Sequence, residues 1–130
     1  MALEFNVTLE DKPGTLARLG QTIGDARVNI EAIHGVSREG QSFIAFLPRN
    51  PDEAARALDA AGLRYTRREV LIVRVLDEPG MLGQVALVLA TAGVNIESIY
   101  VTTRGYLVLG VDDLDGAIAV AAGMAVMAFE

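Results

Sequence analysis

The chain has 130 residues, 52% of them hydrophobic, and a formal net charge of −6. This suits one ordinary domain or two very small ones that share an interface, and a charged fraction of 22% argues against disorder. The acidic balance disfavours nucleic-acid binding, which needs a basic face, and the lack of cysteine excludes disulfides, thiolate metal sites and cysteine nucleophiles.

The N-terminus has no basic segment followed by a long apolar one, so the cytoplasm is the expected location. Leu3, Phe5, Val7 and Leu9 alternate as a half-buried strand should. The turn Asp11-Lys12-Pro13-Gly14 follows, with a proline that suits the first turn of a helix. Leu16, Leu19 and Ile23 then recur at helical spacing. A second strand starts at Val28, and a polar hairpin, Ser37–Ser42, leads to a third at Phe43–Leu47. Asn50-Pro51-Asp52-Glu53 reads as a helix start ahead of Ala54, Ala57, Leu58 and Ala61. A last strand is expected from Leu63 to Glu69, and it passes without a linker into another at Val70–Leu76.

The pattern then repeats. With Asp11 aligned on Asp77, ten of the 23 positions from Asp11 to Ile33 are identical to those 66 residues later. The identities include Pro13/Pro79, Gly14/Gly80, Val28/Val94, Asn29/Asn95, Ile30/Ile96 and Glu31/Glu97, far more than chance supplies. The second copy has Leu82, Val85, Ala86 and Leu89 on its first helix and Tyr106–Val111 as its third strand. Its second helix carries Leu114, Ala117, Ile118 and Ala121, with Asp112 as the cap. Matching Leu114 to Ala54 implies a loss of about three residues in the hairpin and three before the helix. The apolar run Gly116–Phe129 is shorter than a membrane span and reads as a buried helix followed by a strand.

The expected architecture is therefore α+β: two tandem βαββαβ modules, residues 1–68 and 69–130, each a four-stranded antiparallel sheet with two helices on one face, packed side by side. The other face is expected to carry Asn29, Glu31 and Ile33, or Asn95, Glu97 and Ile99.

The motifs Asp-Lys-Pro-Gly-x-Leu…Val-Asn-Ile-Glu and Asp-Glu-Pro-Gly-x-Leu…Val-Asn-Ile-Glu resemble the ACT domain signature, twice and over nearly the whole chain. The arrangement is similar to small stand-alone tandem ACT proteins that bind amino acids. The resemblance implies a ferredoxin-like fold, no catalytic activity, no cofactor, and an amino acid bound at an interface between modules. In the serine-binding regulatory domain of phosphoglycerate dehydrogenase the ligand sits between two such turns. The positions carried over are Asp11, Gly14, Asn29 and Ile30 in the first copy, and Asp77, Gly80, Asn95 and Ile96 in the second. A homodimer is implied, as is a partner enzyme of amino-acid metabolism, with neither nucleic acid nor membrane as a partner.

The chemistry of these residues fits such a ligand. Unpaired N–H groups at a helix N-terminus suit a carboxylate. Glycine lets the backbone approach closely. Aspartate pairs with an ammonium, and asparagine offers both a donor and an acceptor. Each residue also has a plainer reading: helix capping for Asp11 and Asp77, turn geometry for Gly14 and Gly80, and a turn before a strand for Asn29 and Asn95. His34 reads as a structural histidine, and one histidine gives little scope for a metal site or a Ser-His-Asp triad. Arg64, Arg67 and Arg68 read as a solvated or ion-paired face rather than an anion site. Leu87 and Val88 widen the apolar face of the third helix, which supports an alternative role as a ligand-free assembly module.

Overall fold

The computed structural model describes residues 2–123 and 125–126, which form two compact units, Leu3–Arg68 and one that begins at Glu69. In the first, β1 (Ala2–Glu10) sends Phe5, Val7 and Leu9 to one side by simple alternation. α1 (Thr15–Asp25) lays Leu19 and Ile23 on that side. The helix ends with Arg27 in a left-handed conformation (φ 58°), and the Val28 N–H reaches back to the Ile23 carbonyl at 3.2 Å. β2 (Ile30–Arg38) and β3 (Gln41–Pro48) are joined by Glu39 and Gly40. Both have positive φ, as a two-residue type I′ turn requires. β1 and β2 flank β3, each antiparallel to it. α2 (Pro51–Ala60) places Pro51 at its first position, where the missing N–H costs nothing, and buries Ala54 and Leu58. Phe5 stacks on Tyr65 at 5.3 Å and meets Phe46 at 5.6 Å, which ties the start of β4 (Thr66–Val73) to this core.

The second unit repeats the plan with α3 (Met81–Thr91), β5 (Ile96–Val101), β6 (Leu107–Val111), α4 (Leu114–Ala121) and β7 (Ala125–Val126). Its strands run β7-β4-β6-β5, all neighbours antiparallel. Leu71, Val73, Leu109 and Val111 meet Val85, Leu89, Ala117 and Ala121 in one core. Four antiparallel strands in this order with two helices on one face make a ferredoxin-like module.

Several sequence expectations need correction. The two abutting strands are one continuous strand, β4, which starts at Thr66 rather than Leu63 and ends at Val73 rather than Leu76. It ends early because the shortened β5–β6 hairpin begins pairing only at Leu107, opposite Val73. The whole deletion lies in that hairpin. The Arg49 and Asp112 N–H groups make equivalent bonds, to the Asn29 and Asn95 carbonyls, and those of Ala54 and Ala117 to Asn50 and Asp113. The helices therefore align at an offset of 63, with Ala54 and Leu58 on Ala117 and Ala121. The cap of α4 is Asp113, whose carboxylate accepts from the Gly116 N–H at 3.0 Å; Asp112 instead accepts from the Asn95 N–H at 2.9 Å.

The expected open faces are also altered. Two residues of β2 stand against one of β3 at Glu31, and the same irregularity recurs at Glu97 in β5. The bulge reverses the alternation beyond it. Ile33 pairs with Phe46 and Ile99 with Leu109, so both lie on the helix-covered side, not with Glu31 and Glu97. Leu16 and Leu82, which share the helical spacing of the apolar stripes, are 53% and 55% exposed in the first turns of their helices. Met127 to Phe129 of the expected last strand lie outside the described residues.

Candidate functional site: the strand-to-helix turns

The first turn is built on backbone. Gly14 is the N-cap of α1 at φ 96°, in the left-handed region that a side chain disfavours. Pro13 precedes this cap instead of occupying the first helical position. No side chain caps α1 or α3, so capping does not account for Asp11 or Asp77. The first i→i−4 bond of α1 runs from the Arg18 N–H to the Gly14 carbonyl. The N–H groups of Leu16 and Ala17 precede it and lack an intrahelical acceptor.

Side chains then fix the turn. The Asp11 N–H donates to the Gly40 carbonyl at 3.0 Å, and its carboxylate lies 3.5 Å from the Ser42 hydroxyl, itself 3.0 Å from that of Ser37. The longer first hairpin thus holds Asp11. The Thr15 hydroxyl lies 2.7 Å from the Glu10 carbonyl and 3.1 Å from that of Lys12. Lys12 pairs with Glu10 at 2.8 Å; this bond and its charge pull the Glu10 carboxyl below its usual range and raise the Lys12 ammonium. Arg18 reaches across to donate to the Ala61 carbonyl at 2.8 Å. Lys12, Gly14, Thr15, Arg18 and Leu63 line a shallow concavity of about 470 Å³ here.

The second turn has the same backbone and different side chains. Gly80 caps α3 at φ 91°, and the Glu78 N–H bonds the Leu76 carbonyl as Lys12 bonds Glu10. Glu78, Met81 and Gln84 stand where the first copy has Lys12, Thr15 and Arg18. Two cations and a hydroxyl are therefore missing from the second turn.

Each module separates the expected ligand residues into two groups. Asp11 and Gly14 lie at the end of the sheet where β1 meets Gln41, whereas Asn29 and Ile30 lie where β2 meets Pro48. These ends are the full length of β3 apart, roughly 24 Å at about 3.4 Å per residue. Asn29 donates to the Glu31 carboxylate at 3.4 Å and accepts from the Arg49 N–H through its carbonyl at 2.8 Å. Asn95 is exposed and bonded to Asp112 through its backbone. Ile30 and Ile96 rest against the cores of their own modules. Among the described residues no group of three or more His, Asp or Glu side chains could hold a metal ion, and no helix is long and apolar enough to cross a membrane.

The ACT domain family profile matches residues 4–61 and again 70–122. The chain belongs to the ACT domain family. No curated protein sequence matches it. Among solved structures, a protein from Bacteroides thetaiotaomicron superposes with a TM-score of 0.87 at 22% identity, covering 94% of this chain and 87% of that one. The ligand-free regulatory subunit of aspartate kinase from Thermus thermophilus follows at 0.70 and 18%, covering 93% and 88%. Aspartate kinase from Synechocystis matches at 0.65 and 22%, over 94% of this chain but 25% of the enzyme. At these identities the likeness establishes the fold, two tandem ACT modules.

Sequence reasoning missed Lys12, Thr15 and Arg18 as parts of the first ACT turn. The signal was present as the positions where the two copies differ within an otherwise matched motif.

Proposed function

We propose that this tandem ACT protein is a non-catalytic regulatory sensor that binds a small effector, an amino acid, at its strand-to-helix turns. The observation that carries this reading is the turn itself, made twice with the same left-handed glycine cap and uncapped helix N–H groups. Such a terminus suits a carboxylate, and Asp11 stands beside it to take an ammonium. Because one module separates Asp11 from Asn29 by a strand's length, a ligand touching both kinds of residue must be held by parts of different ACT modules. The likeness to an aspartate kinase regulatory subunit supports a regulatory role, exerted on an enzyme of amino-acid metabolism.

A thermal-shift screen against the twenty amino acids tests this. A ligand at a hundredfold over its Kd adds about 2.7 kcal/mol, on the order of a 10 °C shift for a chain of this size. The expected result is a selective shift, lost in Asp11→Ala or Asp77→Ala. No shift with any amino acid at millimolar concentration would sink the reading and favour a ligand-free assembly module. One observation supports that second role: Leu87 (67% exposed), Val88 and Val120 line an apolar hollow on the second module, where the first has Gln21 and Thr22 in place of Leu87 and Val88.

A further inference from the structure

The basic run Arg64, Arg67 and Arg68 has no part in the turn. The first module also contains a groove of about 1080 Å³, lined by Asn6, Thr8, Asp59, Arg64, Tyr65 and Arg67. Its volume is at the upper end for small-molecule clefts. The Arg67 guanidinium lies 5.9 Å from the centre of the Phe5 ring and 6.0 Å from that of Tyr65. These cation–π approaches restrain the guanidinium, and Arg67 has no ion pair among the described residues. The Tyr65 hydroxyl is bonded to Asp59, which engages the one carboxylate among these residues. Arg64 is exposed and has no ion-pair partner among the described residues, in a chain whose acidic residues outnumber its basic ones 17 to 11.

The fold does not demand this chemistry. Aligned by sequence at offsets of 63 and 66, the second copy reads Met127, Ala128 and Glu130 for Arg64, Tyr65 and Arg67, and Ile72 for Asn6. The groove of the first copy is lined by two arginines, the amides of Asn6 and Gln41 and the hydroxyls of Thr8, Tyr65 and Thr66, so that its two cations outnumber its one carboxylate, Asp59. A guanidinium presents a planar fork of donors that matches the oxygens of a carboxylate or phosphate, and the neutral groups suit a polar body attached to it. We propose that this groove binds a small polar metabolite through a phosphate or carboxylate group held by Arg64 and Arg67. The groove adjoins the turn through Thr8 and Leu63 but contains none of the turn's expected ligand residues.

The test is a titration of the isotope-labelled full chain with inorganic phosphate and, separately, with succinate, at constant ionic strength, following backbone amide shifts. Saturable shifts are expected at Asn6, Thr8 and Leu63–Arg67. A response to phosphate alone assigns a phosphorylated ligand, and a response to succinate alone a carboxylate. Arg64→Ala removes an exposed side chain and leaves the fold intact; it should weaken binding about tenfold, the loss of one charge-assisted contact. Arg67→Gln should do the same. Asp11→Ala should leave the groove's affinity unchanged, so failure of the turn as an amino-acid site would not be confused with failure of the groove. Unsaturated shifts with both probes up to roughly 20 mM, far into the range of the weakest specific affinities, would overturn the proposal. So would an affinity unchanged by the two arginine substitutions together, or one abolished by Asp11→Ala.

Discussion

Glu31 is 2% exposed on the bulge of β2, and its carboxylate is held by the Arg49 guanidinium at 2.9 Å, with the Asn29 amide at 3.4 Å. Removing the arginine would leave a buried carboxylate with one long hydrogen bond. Breaking a fully buried pair costs about 3–5 kcal/mol. The Arg49 side chain is 44% exposed, so water reaches the guanidinium and the attraction is partly screened. Arg49→Ala should therefore destabilise by about 2–3 kcal/mol. Glu31→Gln keeps an acceptor in place and should cost about 1 kcal/mol. The second module supplies a control: Glu97 occupies the same bulge but is exposed, and Asp112 stands where the first copy has Arg49. Glu97→Gln should change stability by less than about 0.5 kcal/mol. Urea unfolding followed by far-UV circular dichroism gives each value, and the double variant Arg49→Ala/Glu31→Gln should show a coupling above about 1 kcal/mol. If Arg49→Ala cost under about 0.5 kcal/mol, no greater than the control, the buried carboxylate would not depend on its arginine and the reasoning would fail.

Three further outcomes can be measured. Arg27→Gly should stabilise by about 0.5–1 kcal/mol in the same assay, because Arg27 holds the left-handed conformation (φ 58°) that Gly93 fills in the second copy (φ 76°), and Gly93→Ala should destabilise by about 1 kcal/mol or more. Asp113→Ala should cost about 1 kcal/mol through loss of the α4 cap; in an isolated peptide spanning α4, helicity should fall with Asp113→Ala and hold with Asp112→Ala. For Glu10, a hydrogen bond from Lys12 and then its charge lower the carboxyl pKa, so the stabilisation is full above the ordinary value of 4.5 and vanishes as pH falls through the folded value. For Lys12 the shift is upward, so that contribution is full below 10.5 and lost as pH rises past the raised value. A carboxyl titration by NMR should show the Glu10 midpoint return toward 4.5 in Lys12→Ala and at high salt, since both groups are fully exposed.

The fold was largely legible because its determinants are local and occur twice. Alternation in β1, helical spacing at Leu19 and Ile23, and a glycine at each turn all express backbone periodicities that a linear reading detects. Duplication confirmed the frame, since an identity such as Val28-Asn29-Ile30-Glu31 on Val94-Asn95-Ile96-Glu97 fixes the register of the two copies. The errors came where one residue changes the register. A bulge at Glu31 leaves no local signature, yet it moves Ile33 to the other face. The spacing of small residues in α4 also admits a shift by one helical turn, and only the core contacts of Ala117 and Ala121 select the true offset.

The candidate site divides in the same way. The sequence by itself determined the paired Asp-x-Pro-Gly turns, because a left-handed cap and a strand-to-helix reversal depend on residues adjacent in the chain. Only the tertiary structure decided that Asp11 and Asn29 lie at opposite ends of β3, that the first hairpin reaches back to hold Asp11, and that Arg67 approaches the Phe5 ring and lines one groove with Arg64. Those relations join residues dozens of positions apart, and they depend on strand pairing and side-chain packing, which no local pattern in the chain records.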